Sequence, residues 1–122
     1  MKRETFELLV EEALEQLPEK FIKLLDNIVV QVEDRAPQDV HKRTGISRHN
    51  LILGLYHGVP LRHRGPYYGN TPPDVITLYQ KSIEDICRSE NDIKNKIREV
   101  VLHEVGHYFG LKEKELRDIE GR

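Results

Sequence analysis

From Thr5 onward the apolar residues Phe6, Leu9, Val10, Ala13, Leu14 and Leu17 recur at the three-and-four spacing that lines one side of an α-helix. Pro18 has no amide hydrogen and ends or restarts that helix, and Phe21, Ile22, Leu24 and Leu25 predict a second, short one. In NIVVQVED the period changes to two: Ile28, Val30 and Val32 alternate with Val29 and Gln31, as in a half-buried strand. LILGLYHGVPL, from Leu51, is apolar but broken by glycine, which predicts a strand or a strand and turn. PDVITLYQK, from Pro73, is rich in β-branched and aromatic residues and predicts another strand, entered through Pro72-Pro73. After Ser89 the helical period returns. Asn91 or Asp92 can cap this helix, Ile93, Ile97, Val100, Val101 and Val105 mark its apolar face, and Gly110 is placed to end it.

Helix, strand, two further strands and a long helix, without repeats or low-complexity stretches, predict one α+β domain over residues 1–122. A chain of 122 residues can bury one core but not two, so any site is built into that core or on its rim. Cys87 is the sole cysteine, which excludes an internal disulfide, fits a reducing compartment and reads as a small buried apolar residue. In MKRETFELLVEEALEQL acids interrupt every apolar run, so the expectation is neither a signal peptide nor a membrane span but a soluble, cytoplasmic protein.

Nineteen Lys and Arg against twenty-one Asp and Glu leave a net charge of −2, too small a field to draw the chain to nucleic acid or membrane. The distribution is less even than the total. Between Asp39 and Asp74 there is no acid, while Lys42, Arg43, Arg48, Arg62, Arg64 and four histidines, His41, His49, His57 and His63, fall there.

Within the last predicted helix, LHEVGHYFGLKEKEL, from Leu102 to Leu116, places His103 and His107 four residues apart, one turn along one helix face. Two imidazoles so placed can hold one ion. Glu104, directly after the first, is offset so that its carboxylate points toward the open side of that ion. Two neutral ligands for Zn²⁺ and a base for its water are the residue types that metal-assisted hydrolysis needs. Given six histidines and fourteen glutamates, a chance match to this short pattern somewhere in the chain has a probability of about three in a hundred. The helical setting and Gly110 lower it further. A third ligand is required, and Glu113 occupies the sixth position after His107, where a chain turning back at Gly110 can reach the metal. Glu115, Asp118 and Glu120 are its competitors, each more simply read as part of a solvated helical face, and a site of two histidines and waters is the other alternative.

These features resemble the small one-domain zincin-like metallopeptidases of bacteria. The resemblance spans nearly the whole chain and is carried by VVLHEVGHYFGLKEKEL, by GLYHGVPL from Gly54 and by PDVITLY from Pro73. It implies a minimal zincin fold, an α+β core whose small sheet of about three to four strands packs against an N-terminal helix and the C-terminal active-site helix, with one Zn²⁺ held by His103 and His107, a water activated by Glu104, and an acidic residue where Glu113 stands. The chain departs from the metzincins proper: the third ligand position is not histidine, and there is no methionine besides Met1 to form a Met-turn. It also lacks a second subdomain to wall a deep cleft, so short peptides or flexible protein segments are the expected substrates.

For the oxyanion of such a hydrolysis, Tyr108, Tyr67, Tyr68, Tyr79, His57, His63 and Arg64 are donors by residue type, although Tyr79 reads as core and Tyr108 as a local packing residue. Arg62 and Arg64 could capture an acidic side chain or a peptide carboxylate, and Tyr108 could help bind substrate. The rival expectation is a binding module stabilised by its metal, or a zinc hydrolase acting on a non-peptide such as RNA. The basic middle of the chain is its only support.

Overall fold

The structure is a computed structural model that describes residues 1–47, 50–58, 74–110 and 114. Helix α1 (Arg3–Glu15) is followed by α2 (Glu19–Leu24), strand β1 (Ile28–Glu33), α3 (Gln38–Thr44), β2 (Gly54–His57), β3 (Asp74–Tyr79), α4 (Gln80–Asp85) and α5 (Glu90–Tyr108). Each expected helix and strand has a counterpart among the described residues, although the strand expected through PDVITLYQK ends at Tyr79, Gln80 and Lys81 begin α4, and the Pro72-Pro73 entry lies outside the described residues. The short helices α3 and α4 do not show in the apolar pattern, because α3 buries one aliphatic side chain, Val40, and α4 one, Ile83. Pro37, with its fixed φ, precedes α3, and Gly45 ends it in the left-handed region at φ 75°.

The three strands lie in the order β1-β3-β2, with β3 parallel to β1 and antiparallel to β2. As the middle strand, β3 is covered on both faces, which explains why Ile76, Thr77, Leu78 and Tyr79 are all buried. The pairings Val30 with Ile76, Ile76 with Tyr56 and Leu78 with Gly54 set those residues on one face of the sheet. Their neighbours Gln31, Thr77, Leu55 and His57 project from the other.

Helices α1 and α5 cover the first face. Phe6, Leu9, Val10 and Ala13 of α1 and Ile93, Ile97, Val101 and Val105 of α5 join Phe21, Ile76 and Leu78 in one core. Each such aliphatic or aromatic side chain contributes about 1.5–3 kcal/mol when fully buried. A smaller cluster of Val40, Ile52 and Tyr79 fastens α3 to the second face, so Tyr79 is a core residue as expected. Arg3 ties the ends together: it donates from Nε to Gln80 Oε1 at 2.7 Å and from Nη1 to the Val32 carbonyl at 2.7 Å, and it pairs with Asp34.

The HEVGH segment owes its placement to α5. Its N-cap is Ser89, not Asn91 or Asp92: Ser89 Oγ accepts from the Asp92 N–H at 3.0 Å. Asp92 Oδ2 in turn accepts from the Arg88 N–H at 3.1 Å, so the two side chains close the helix start reciprocally. The other end stops as predicted, with Gly110 at φ 78° and its N–H donating to the His107 carbonyl at 3.0 Å.

What lets α5 lie so close to β2 is Gly54, where an added Cβ would stand 2.6 Å from Val100 Cγ1 and 3.2 Å from the Thr77 carbonyl oxygen. Gly54→Ala is therefore expected to destabilise the fold by about 1–3 kcal/mol in urea titration, the usual cost of overpacking. Adding Val100→Ala, which removes the clashing methyl, should recover part of that loss, and two strictly additive losses would show the contact to be wrongly identified.

Candidate metal centre

On the last two turns of α5 the His103 and His107 rings face the same side, their centroids 6.0 Å apart and their planes inclined at 38°. His103 is half-buried and His107 exposed, so the pair sits at the boundary between core and solvent. Behind them Val101, Leu102, Val105 and Gly106 are buried, which fixes the rotation of the helix and hence the direction in which the imidazoles project.

Glu104 lies between the histidines in sequence and toward the sheet in space. Its carboxylate accepts the main-chain N–H of Tyr56, on β2. The strand pairing explains why that N–H is available. The Tyr79 N–H donates to the Leu53 carbonyl at 3.0 Å, so odd-numbered residues of this stretch face β3 and Gly54 and Tyr56 turn their polar main-chain groups away from it. Burial raises the Glu104 carboxyl above its ordinary value of 4.5, against the opposing pull of the Tyr56 amide and of His107 and His103. A carboxylate held against desolvation is readier to take a proton than an exposed one, as a general base must be.

Tyr56 has two further partners. Its ring stacks on Tyr108 with centroids 4.2 Å apart and planes 23° apart, and its hydroxyl donates to Asp74 Oδ2 at 2.6 Å. Asp74 is itself buried, at the start of β3. A single residue on β2 thus joins Glu104, the helix end beyond the second histidine and the middle strand. Tyr56 and Asp74 were not among the residues singled out by type. Tyr56 stands in the GLYH segment as an ordinary strand aromatic, and only the pairing register shows that its amide faces Glu104.

Of the expected site residues, the structure brings together His103, Glu104, His107 and Tyr108. Tyr108 packs, its ring face on Tyr56 and its edge to Phe109 at 5.2 Å. His57 is not part of this group. It pairs with Val75 on the opposite face and lines a depression there with Gln31, Thr77 and Arg43 of α3. Glu113, Arg62, Arg64, Glu115, Asp118, Glu120, His63, Tyr67 and Tyr68 lie outside the described residues.

Two imidazoles one helical turn apart, projecting from a rigid and partly dry surface, have the donor chemistry that zinc requires. Among the described residues no third His, Cys, Asp or Glu completes such a group. The stretch after Gly110 is where the expected third ligand falls.

The zincin-like metallopeptidase family model matches residues 25–122. The chain belongs to that family. The match takes in every strand, the whole of α5 and the HEVGH segment, so the α+β architecture described above is a zincin-like fold. Among solved structures the chain is similar to a conserved hypothetical protein from Thermo thermophilus, with 26% identity and a TM-score of 0.56 over 88% of this chain and 94% of that one. No curated protein matches. Family membership brings zinc peptidase chemistry into view at the family level. Among the described residues no helix is long and apolar enough to cross a membrane.

Burial of Glu104 has a consequence in the metal-free protein. Because its folded value is raised, the fold holds a proton that the unfolded chain gives up, so stability falls as pH rises from about 4.5 through the raised value. Glu104→Gln keeps an acceptor for the Tyr56 amide but has no charge to bury. The metal-free variant should melt a few degrees above the metal-free parent at pH 7, with the gap closing as pH falls below 4.5. A lower melting temperature for the variant at both pH values would contradict this account.

Proposed function

We propose that this protein is a zinc-dependent peptidase in which His103 and His107 hold the metal with Glu113 as third ligand, and Glu104 is the general base. The observation that carries the reading is the placement of Glu104: its carboxylate is partly desolvated, anchored by a main-chain amide of β2 and flanked by two imidazoles one turn apart. A purely structural glutamate has no need of that combination. Bound zinc would supply Lewis acidity, lowering the pKa of a water to near 7 and polarising a carbonyl.

The protein's own groups then have distinct tasks. The α5 backbone fixes both imidazoles, so little ordering is left to do when they bind. Glu104, oriented by the Tyr56 N–H, takes the proton of the attacking water and is placed to return it to the leaving amine. Tyr56 and Tyr108, stacked, hold the strand and the helix end at fixed separation, so the base stays aligned with the ligands. Short peptides and flexible protein segments are the proposed substrates, since an extended chain can reach two imidazoles at the boundary between core and solvent. The RNA reading is weaker: Arg43 of the basic stretch lies on the sheet face away from α5, beside His57.

Metal analysis of the purified protein should give one zinc per chain, lost in His103→Ala and in His107→Ala. Cleavage of a peptide library should fall by a factor of about 10²–10⁴ in Glu104→Gln while zinc is retained. Glu113→Ala should weaken zinc binding, whereas Glu115→Ala, Asp118→Ala and Glu120→Ala should not. Undiminished cleavage by Glu104→Gln, or a zinc-loaded parent that cleaves no library member, would overturn the peptidase assignment.

A further inference from the structure

On the far side of the sheet from β2, strand β1 and helix α1 enclose an open groove of about 850 Å³. Its floor and inner wall are apolar: Val10 and Leu14 of α1 face Val30 and Val32 of β1, and Leu8, 58% exposed, forms the lip. The outer wall is acidic. Glu4, Glu7 and Glu11, spaced three and four apart, line it along one stripe of α1. Among the described residues none of the three has an ion-pair partner, although the neighbouring Glu12 pairs with Lys94.

Among the described residues β1 is also a sheet edge. The Arg3 guanidinium reaches the Val32 carbonyl from outside the sheet, which shows that even-numbered residues of β1 turn their main-chain groups outward. Arg3 blunts the edge at Val32. At Val30, one pleat earlier, the N–H and C=O face outward, and no described residue bonds to them from outside the sheet. Beside them Val29 is 45% exposed on the opposite face. The edge thus offers a donor and an acceptor, an acid-walled apolar trough on one side and an apolar side chain on the other.

We propose that this groove is a docking site for an extended cationic segment of a partner protein, which adds as a strand to the β1 edge. Main-chain pairing at Val30 would anchor it. Every second side chain of the segment would enter the groove. Lys and Arg suit that position, because their aliphatic stems can lie along Leu8 and Leu14 while their charged ends reach Glu4, Glu7 and Glu11. The intervening side chains would be apolar and would cover Val29. Charge argues against a second copy of this chain as occupant, since two β1 edges brought together would oppose two acidic walls. The site is independent of the metal centre, which lies on the β2 side, and of any reading of its chemistry.

A fluorescein-labelled Lys-Val-Lys-Val-Lys-Val-Lys peptide tests the proposal by anisotropy, with the Val30 amide followed by hydrogen exchange. Saturable binding with slowed exchange at Val30 is expected, and no binding to the corresponding Glu-Val peptide. Glu7→Lys with Glu11→Lys, both exposed and so tolerated by the fold, should weaken binding about tenfold or more. N-methylation of alternate peptide amides, which removes edge pairing but not charge, should abolish it. Failure of the Lys-Val peptide to bind folded protein would overturn the proposal. So would equal binding by the N-methylated peptide, unchanged affinity in the double variant, or a dimer of this chain that buries Val30.

Discussion

The contact between α5 and β2 sets the geometry on which the rest depends. A strand four residues long has little apolar surface of its own, yet α5 packs directly against it. Gly54 supplies the closeness by having no side chain where Val100 approaches. Two residues on, Tyr56 turns that closeness into alignment, since its amide can reach the Glu104 carboxylate only if helix and strand are nearly in contact. Its ring and hydroxyl then bind the same strand to Tyr108 and Asp74. Removing the closeness would release the Glu104 carboxylate, the ring stack and the strand together, since all three contacts run through Tyr56.

That arrangement sets two physical demands against each other at one carboxyl group. Pressing Glu104 toward the core raises the cost of its charge, and the Tyr56 amide and the two histidines only partly offset it. An apolar residue in its place would make a quieter helix. The glutamate instead stands at a desolvated position between groups that favour its ionised form, a local conflict of the kind the proposed general base would need. The apolar face behind it absorbs the cost: Val101 and Val105 are wholly buried, so the helix does not yield to the strain on its outer side.

Much of this was legible in the sequence, for identifiable reasons. The long helix announced itself through Ile93, Ile97, Val101 and Val105, and HEVGH could be read as chemistry because helical spacing converts sequence separation directly into direction. Strand β3 was legible from its β-branched run. The two short helices were not, since Val40 and Ile83 alone cannot make a period. The cap was misassigned because Ser89, Asn91 and Asp92 all have the side chain for it, and only the backbone at Ser89, extended at φ −150°, settles which one acts. The role of Tyr56 was hidden for a deeper reason. It is exerted by a main-chain amide, and any residue there has one. What matters is the pairing register that turns the amide outward, and register comes from contacts between segments distant in sequence.

The same register reasoning separates the two edges of the sheet. Both edge strands turn the main-chain groups of their even-numbered residues away from β3, but the surroundings differ. At β2 the outward amide of Tyr56 is bonded to the Glu104 carboxylate, so part of that edge is already occupied from within the chain. At β1 Arg3 covers one carbonyl and leaves Val30 beside an apolar trough with a wall of carboxylates. An exposed strand edge ordinarily invites indiscriminate pairing, and charges placed along it are the usual protection. Glu4, Glu7 and Glu11 can serve that purpose against other acidic or neutral strands, including copies of this chain, while favouring a cationic one. Protection and selectivity are then one property of the surface, because the charge that repels most strands defines the strand that is accepted.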